Sequence, residues 1–411
     1  MTSREFLKVR PVKDVQDFIA ALEPLGTEVI SLENAHGRVV AKTVIARDPV
    51  PHFRRATMDG YAVRSRDVFG ASESLPAFLS IVGSVEMGKP SACTVGTNEA
   101  CAIPTGGALP DGADAVVMVE HTERLDETTI EVYKPVAPGE NVLGVGDDIP
   151  EGEQILQPGR ALKPQDLGVL AAVGITEVEV YKRPKVAIIS TGDEIVPSET
   201  PSPLPPGLIR DINTHVLASM VSETGAVVGR KELIKDDPDA LIDISRKCLE
   251  DHDVVLLSGG SSVGSRDYTL DVLEQLPDAE VLVHGVAMRP GKPTILGRSG
   301  KRYVWGLPGQ PSSASMVMVA MVCPFLRALQ GERPTFPYAA GTIIGRLCKP
   351  IPSVHGREDY IPVRVLDEDQ VEPIFGKSGM IKTLAMADGY IIVPEHAEGM
   401  DTGEEVKVYL F

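Results

Sequence analysis

The most constraining feature of this sequence is an alternation of strand and helix patterns that begins at Lys185. Val186 to Ser190 is a continuous apolar run, typical of a parallel strand that is buried on both faces. Helical patterns follow from Asn213, which we predict to be an N-cap, and from Pro238, and Asp253 to Leu257 is a second apolar strand. We therefore predict an open, mostly parallel α/β sheet, in which ligands bind beyond the carboxyl ends of the strands.

The second apolar strand runs directly into the glycine-rich turn Ser258-Gly259-Gly260-Ser261-Ser262-Val263-Gly264. Glycines at this place let backbone N–H groups approach a phosphate, although an ordinary strand-to-helix connection has the same pattern. The stretch from Gly285 to Lys292 is not a P-loop, because five residues separate its glycines and Pro293 takes the Ser/Thr position. The first strand-end turn, 190–194, lacks the G-x-G-x-x-G spacing of dinucleotide folds, which disfavours a nicotinamide or flavin enzyme.

The regions on either side of this α/β pattern differ in periodicity. Short β-branched runs alternate with turn signals before it, a helical stretch precedes it directly, and short alternating stretches follow Pro334. The length of 411 residues also exceeds what one hydrophobic core usually supports. Four domains are predicted from these changes in pattern. They are a linking, elongated domain of residues 1–27 and 144–180, a mainly β domain of residues 28–143, an open α/β domain of residues 181–332, and a C-terminal β-barrel-like domain of residues 333–411.

Composition excludes several classes of protein. The formal net charge of −18 disfavours non-specific binding to nucleic acid or to anionic membranes. The five cysteines include no C-x-x-C pair, so neither a disulfide framework nor a thiolate zinc site is indicated, and a reducing, cytoplasmic location is expected. The first 23 residues contain early charges and no apolar run, which disfavours a signal peptide. The apolar run Ala314 to Cys323 is too short for a membrane span and predicts a buried helix that stops at Pro324.

Three groups of polar residues are candidates for a ligand site. Asp193 and Glu194 end the first strand, and Asp267 follows the glycine turn; such carboxylates either hold Mg²⁺ beside a phosphate or cap helices. Arg289 and Lys292 lie three residues apart in a rigid turn, which fits a compact oxyanion or a solvated basic turn. Ser312 and Ser313 begin the apolar helix, where they could favour an anion or act only as caps. No Ser/His/Asp or Cys/His nucleophile set can be assembled from the sequence.

Taken together, the motifs of this chain resemble those of the MoeA family, the molybdopterin molybdenumtransferases, which include the C-terminal part of gephyrin. They occur in the family's order along essentially the whole chain. The matching stretches are MDGYAV (58–63), PTGGALPDGADAVVMVE (104–120), GDDI (146–149), STGDEI (190–195), DINTH (211–215), SGGSSVGSRDYT (258–269), RPGKP (289–293), LPGQPSSAS (307–315), GRED (356–359) and ADGYIIVPE (387–395).

The resemblance implies a four-domain elongated protomer that works as a homodimer with a composite active site. It also implies that the α/β domain of residues 181–332 is the molybdopterin-binding domain. The implied reaction inserts molybdate, or tungstate, into adenylylated molybdopterin with Mg²⁺-dependent release of AMP. The implied partners are a molybdopterin adenylyltransferase or other proteins of the cofactor pathway.

The resemblance also assigns roles to particular residues. The implied acidic active-site residues are Asp148, Glu194, Asp236 or Asp237, and Asp267, with Glu194 and Asp267 as the Mg²⁺ ligands. The implied pterin-binding turn contains Ser258, Gly259, Gly260, Ser262 and Gly264. The residues implied to hold the pterin phosphate or the molybdate are Arg289, Lys292, Ser313, Arg357 and Ser378. Asp59 and Thr105 are implied to enter the cleft from the β domain of the partner subunit.

The chain departs from the family pattern at several positions. Gln310 replaces the usual Asn, Arg289 replaces a Lys, Ser265 replaces a common acid, and no Lys lies near Gly285. Two other functions share parts of the pattern: an adenylyltransferase, which has the α/β domain and its glycine turn, and a non-catalytic molybdopterin-binding scaffold. The β domain with Asp59 and Thr105 and the C-terminal domain with Arg357 argue against the first, and the retained carboxylates argue against the second.

Overall fold

The computed structural model describes residues 8–259, 268–366 and 369–411, and the account that follows is confined to them. Three six-stranded sheets contain most of the described strands. Each sheet has its own hydrophobic core, so the chain is built from several units rather than around one centre.

The central sheet confirms the predicted α/β architecture. Its first four strands are parallel neighbours and its last two are antiparallel. Across the sheet the order is Val227–Ile234, Lys185–Thr191, Val254–Ser258, Arg302–Leu307, Ile295–Ser299 and Ala279–His284.

Both faces of the central sheet are covered by helices, because side chains of its strands alternate between two cores. Val186 and Ile188 pack into one core and Ala187 and Ile189 into the other. This explains why the strand has no polar position in its interior. The first face carries the helices Val12–Ala20, Asn213–Glu223 and Pro311–Val317 with its continuation, and the second carries Pro238–Asp251 and Tyr268–Glu274.

The helix that begins at Pro311 does not stop at Pro324, which corrects the prediction. A π-helical turn, Met318–Val322, precedes the proline, and the helix resumes over Cys323–Leu329. The wider turn accommodates a residue that lacks an N–H and would clash in a regular helix. The whole segment Pro311–Leu329 is apolar and long enough to cross a membrane, but 94% of its most apolar window is buried inside the protein, as in a core helix.

The C-terminal unit is a closed β-barrel, as predicted for this region, because the strand Gly389–Val393 pairs with both Glu358–Val365 and Glu405–Leu410. One strand of its sheet comes from elsewhere in the chain: Met288–Arg289, from the α/β unit, pairs in parallel with the start of Glu358–Val365. The sheet order is Met288–Arg289, Glu358–Val365, Gln370–Pro373, Gly341–Leu347, Glu405–Leu410 and Gly389–Val393. The short pair Ile351–Pro352 with Gly399–Met400 and the helix Ile381–Ala385 complete the unit.

The N-terminal β unit depends on a close backbone approach at Gly60. A Cβ at this position would lie 1.9 Å from the carbonyl oxygen of Val117 on the neighbouring strand, so no larger residue fits. The sheet order is Ala115–Met118, Gly60–Val63, Glu99–Ile103, Ala77–Ser84, Thr129–Val132 and Thr122–Arg124, with the short pair Arg55–Ala56 and Val142–Leu143 beside it.

A smaller unit links the N-terminal β unit to the rest of the chain. The strand Thr27–Ser31 pairs with Glu177–Tyr181, and Val44–Ile45 pairs with Gln154–Leu156, beside the helix Pro164–Ala172. These pairings place residues 27–46 with the linking unit, whereas the sequence assigned 28–143 to the β domain. Long-range pairing of this kind leaves no local signal in the sequence.

Candidate functional site

The carboxyl ends of three parallel strands meet at Gly259, the last described residue of the glycine-rich turn. Gly259 has φ +116°, and a Cβ there would lie 2.2 Å from the carbonyl oxygen of Thr191, at the end of the neighbouring strand. Gly309, which follows the strand Arg302–Leu307, lies on the other side: a Cβ at Gly309 would contact the Cα of Gly259 at 3.4 Å. The backbone is thus packed too closely for a side chain at Gly259, whereas a Cβ at Gly309 would make an ordinary van der Waals contact.

Asn213 ties two of these strand ends together. Its side-chain amide donates to the Ser258 hydroxyl at 2.7 Å and to the Gly309 carbonyl at 2.8 Å, and the side chain is buried. Asn213 is therefore not the helix N-cap that the sequence predicts; the N-cap is Ile212, and the Asp211 carboxylate before it accepts from the Thr214 N–H at 3.1 Å. A polar residue at the start of a helix can serve as a cap or as a bridge, and periodicity does not distinguish the two.

Several carboxylates gather at the same edge of the sheet. Asp193 and Glu194 are exposed, and the Asp193 carboxylate accepts from the Asp236 N–H at 3.3 Å. Asp236 in turn accepts from the Thr191 hydroxyl at 2.6 Å. No helix begins at Glu194; the short strand Ile195–Val196 follows it, so the capping interpretation of this carboxylate does not hold.

Asp237 lies one residue further on and has a different role. Its carboxylate accepts from the N–H groups of Asp239 and Ala240, at 3.0 and 3.3 Å, and so caps the helix Pro238–Asp251. Asp236, bonded to Thr191, is the residue whose carboxylate lies at the strand end. The two candidates that the sequence left open are therefore in different environments.

We predict opposite phenotypes for substitutions at Asp236 and Asp237. Asp237→Ala removes an N-cap and should destabilise the protein by about 1 kcal/mol while leaving turnover nearly unchanged. Asp236→Asn keeps the shape and should lower turnover roughly tenfold or more with a smaller effect on unfolding. Thermal melts and steady-state rates on both variants make the comparison; loss of turnover in Asp237→Ala alone would contradict the assignment.

A second part of the site is a cavity of about 800 Å³ between the α/β unit and the C-terminal barrel. It brings together all five residues that the sequence predicts for phosphate or molybdate. These residues are Arg289, Lys292, Ser313, Arg357 and Ser378. The remaining lining residues are Met288, Pro290, Gly291, Pro293, Gln310, Ser312, Pro352, Tyr360, Ile361, Pro362, Ile374, Phe375, Gly376, Lys377 and Thr383. We call this cavity the oxyanion pocket.

The two parts of the site are continuous through the loop that precedes the helix Pro311–Leu329. Gly309 packs against Gly259, while Gln310, Ser312 and Ser313, the next residues, line the oxyanion pocket. The hydroxyl of Ser378 donates to the Gln310 side chain, and the Ser312 N–H donates to the Ser378 carbonyl at 3.2 Å. The amino end of a long helix therefore faces the pocket, where its dipole favours an anion.

Positive charge in the oxyanion pocket comes from both units. Arg289 and Lys292 belong to the α/β unit, and Arg357 and Lys377 to the barrel. The carboxylate of Asp359 contacts both arginines: Arg357 Nε at 2.9 Å and Arg289 Nη1 at 3.5 Å. With four cations and three serines around it, the cavity is suited to a tetrahedral oxyanion or a phosphate.

Asp59 and Thr105 lie together in the N-terminal β unit, as the resemblance implied, but apart from the oxyanion pocket. The Thr105 N–H donates to the Asp59 carboxylate at 2.7 Å, and this bond holds the pKa of Asp59 below its usual value because it favours the charged form. Asp148 is exposed in a turn of the linking region, where its N–H donates to the Val50 carbonyl. None of these three residues lines the described cavity.

Four predicted residues, Gly260, Ser262, Gly264 and Asp267, lie outside the described residues. Within the ranges that are described, no group of three or more His, Cys, Asp and Glu side chains is placed to hold a metal ion. The Mg²⁺ site expected at Glu194 and Asp267 therefore stays a prediction.

Sequence reasoning missed three polar residues of the site: Asn213 as a bridge, Asp359 and Lys377. Asp359 ends the GRED motif and Lys377 precedes Ser378, so motif proximity was the available signal. The apolar wall of the oxyanion pocket, with Ile361, Ile374 and Phe375, had no signal, because these residues read as ordinary barrel positions.

Comparison with known proteins identifies relatives over nearly the whole chain. Family models match the MoeA N-terminal region, domains I and II, over residues 10–174. A molybdopterin binding domain matches residues 187–328, and the MoeA C-terminal region, domain IV, matches 345–411.

Individual relatives agree with these family models. A molybdopterin biosynthesis protein of Methanocaldococcus jannaschii is 36% identical over 93% of this chain and 91% of its own length. A molybdopterin molybdenumtransferase of Staphylococcus aureus is 31% identical over 97% of this chain and 95% of its own length. The crystal structure of a molybdopterin biosynthesis MoeA protein from Pyrococcus horikoshii is 38% identical, with a TM-score of 0.80, and the match covers 98% of this chain and 99% of that one.

Proposed function

We propose, from the premise that this chain belongs to the MoeA family, that it is a molybdopterin molybdenumtransferase of molybdenum cofactor biosynthesis. It inserts molybdate into adenylylated molybdopterin and releases AMP. The observation that carries the proposal is the oxyanion pocket, in which Arg289, Lys292, Arg357, Ser313 and Ser378 line one cavity.

The chemistry follows from how charge is distributed along the site. The pterin nucleotide binds at the strand ends around Gly259, where the absence of a side chain lets a phosphate approach the backbone closely. Molybdate binds next to it, held by guanidinium groups, an ammonium group and hydroxyls at the amino end of the helix Pro311–Leu329. Binding at adjacent sites holds molybdate and the pterin nucleotide in a fixed relative orientation. The cations of the oxyanion pocket offset the repulsion between these two anions.

Magnesium fits the carboxylate edge of the site, because Mg²⁺ is usually held by one or two carboxylates together with substrate phosphates. The candidate Mg²⁺ ligands among the described residues are Glu194 and Asp236, whose carboxylates lie near the end of the strand Lys185–Thr191. Asp267 is the third candidate. When bound, Mg²⁺ would neutralise charge on the phosphate groups and on the leaving adenylate.

The two alternative functions are less well supported. An adenylyltransferase needs the glycine turn but has no use for an oxyanion pocket whose wall is built by a separate C-terminal barrel. A non-catalytic scaffold would not need the exposed carboxylates of Asp193 and Glu194 at the end of the strand Lys185–Thr191.

The direct test mixes the purified protein with adenylylated molybdopterin, Mg²⁺ and molybdate, or tungstate in a parallel reaction. We expect AMP release that depends on both the oxyanion and Mg²⁺, with metal incorporated into the pterin. Synthesis of adenylylated pterin from ATP would favour the adenylyltransferase, and pterin binding without AMP release would favour the scaffold.

Asp59 and Thr105 enter the proposal through a homodimer with a composite active site. Their unit does not line the oxyanion pocket, yet the two side chains are held together and exposed, as residues that serve another subunit's cleft would be. The partner subunit would then complete each site.

Mixing two inactive variants tests the composite site. At molybdate concentrations well below the wild-type KM, Asp59→Asn and Arg357→Gln should each be nearly inactive. Random mixing after dissociation should restore about a quarter of the wild-type activity, because half of the dimers then contain one intact site. Size-exclusion chromatography with multi-angle scattering checks the dimer. If the mixture stays as inactive as its components while the dimers exchange, each site is contained in one chain.

We further propose that the protein works in the cytoplasm and receives its pterin nucleotide from an adenylyltransferase. All five cysteines are unpaired, as expected in a reducing compartment. Adenylylated pterin is the proposed substrate, so a nucleotide-transfer step must precede this one.

A further inference from the structure

We propose that Asp359 is a positioning residue that orients Arg289 and Arg357 in the oxyanion pocket, and so determines how tightly the pocket binds a tetrahedral oxyanion. The inference rests on the proposed function, since it takes an oxyanion to be the ligand of this pocket. Asp359 itself does not line the cavity.

The contacts of Asp359 are made with one nitrogen of each arginine. Its Oδ1 accepts from Arg357 Nε at 2.9 Å, and its Oδ2 lies 3.5 Å from Arg289 Nη1. The Asp359 side chain is fully buried, whereas those of Arg357 and Arg289 are 34% and 60% exposed. Because a guanidinium group has five N–H donors, each arginine keeps donors for a ligand in the cavity that both line.

The backbone fixes where the two arginines stand. Arg289 is the direct neighbour of Asp359 in the parallel pairing between the α/β unit and the barrel, and the Glu358 N–H donates to the Ala287 carbonyl at 2.9 Å. Two guanidinium groups facing one cavity would repel each other. A carboxylate behind them offsets that repulsion without occupying the cavity.

Folding stability does not account for a carboxylate at this place. A buried ion pair gains little net stability, because desolvation offsets most of the attraction. Oδ2 of Asp359 is buried and has no hydrogen-bond partner within the described residues, which adds a cost. A residue retained only for packing would be fully satisfied or apolar.

Glu358 provides a matched control. It precedes Asp359 on the same strand, so its side chain points to the opposite side, where it accepts from the Tyr360 hydroxyl at 2.8 Å. It carries the same charge and does not line the oxyanion pocket. A purely electrostatic effect of removing one negative charge would act in the same direction at both positions.

Calorimetric titration with tungstate alone tests the inference on the full chain. Asp359→Asn should weaken tungstate binding at least about tenfold, although it removes a negative charge, because the arginines lose their orientation. Glu358→Gln should leave the affinity unchanged or slightly higher. Unchanged or tighter binding by folded Asp359→Asn would overturn the inference.

A double-mutant cycle separates positioning from a general structural effect. In an Arg357→Lys background, which loses the Nε–H contact, Asp359→Asn should weaken binding by a smaller factor than it does in the wild type, because only the contact with Arg289 remains to be lost. Effects that simply multiply would also overturn the inference. If Asp359→Asn fails to fold in a thermal melt, Asp359→Glu is titrated instead; it keeps the charge, displaces the carboxylate and should also weaken binding, and full affinity would contradict the role.

The outcomes for the two proposals remain distinguishable. Absence of tungstate binding by the wild type would contradict the proposed ligand of the pocket, and the inference with it. Normal wild-type binding with an unaffected Asp359→Asn variant would remove only the positioning role.

Discussion

Substitution of Gly259 by alanine is expected to cost several kcal/mol of stability and to abolish transfer of the metal. The residue has φ +116°, which is strained for any L side chain, and its new Cβ would lie 2.2 Å from the Thr191 carbonyl oxygen. Relief requires the ends of two parallel strands to separate, and the pterin nucleotide is proposed to bind at this edge. Urea unfolding and AMP release measure the two effects.

Gly207 is the matched control for that substitution. It also has a left-handed backbone, φ +93°, but a Cβ there meets nothing within 4 Å. Gly207→Ala should therefore lower the free energy of unfolding only by the cost of a left-handed backbone at alanine, about 1–2 kcal/mol, and retain activity. Equal unfolding midpoints for the two variants would show that close packing at the strand ends does not matter.

Substitution of Arg357 by glutamine should lower kcat/KM for molybdate about 100-fold, which corresponds to about 2.7 kcal/mol of lost transition-state stabilisation. Arg357 lines the oxyanion pocket, and about a third of its side chain is exposed. The substitution therefore removes a positive charge that faces the ligand rather than a group packed in the hydrophobic core. The effect should fall on the KM for molybdate, while binding of the pterin nucleotide, measured by fluorescence, changes little.

Arg364 lies on the strand Glu358–Val365, which Arg357 directly precedes, and outside the lining of the oxyanion pocket, so Arg364→Gln removes the same charge from the barrel. It should leave the KM for molybdate within about twofold of wild type, since screening weakens a distant charge. A comparable rise in KM in both variants would mean that net charge of the barrel, rather than contact in the pocket, governs molybdate binding.

The sequence predicted the α/β unit well because its signals are local. An apolar run such as Val186 to Ser190 identifies a buried strand, and Pro238 marks a helix start; both agree with the structure. The five predicted oxyanion ligands could be grouped only through resemblance, because they come from a strand, a helix and loops that are far apart in sequence. The structure then places them around one cavity.

What could not be predicted depends on contacts between distant segments. The pairing of Thr27–Ser31 with Glu177–Tyr181 has no local signature, and neither does the added strand Met288–Arg289. Asp237 and Asp236 look alike in sequence, and only the hydrogen bonds show that one caps a helix while the other meets Thr191. The role of Asn213 was missed for the same reason, since an amide that bridges two loops looks like a cap.

The strand Met288–Arg289 makes the barrel and the α/β unit share a sheet edge. The width of the oxyanion pocket is thus fixed by main-chain hydrogen bonds and not by the connection between Leu329 and Gly341, where the two units are joined covalently. Lengthening that connection with a few glycines and serines should be tolerated, because the backbone pairing already defines the docking. A barrel grafted from a relative would fit only if it accepted this strand in the same register, so the two units are expected to be inherited together.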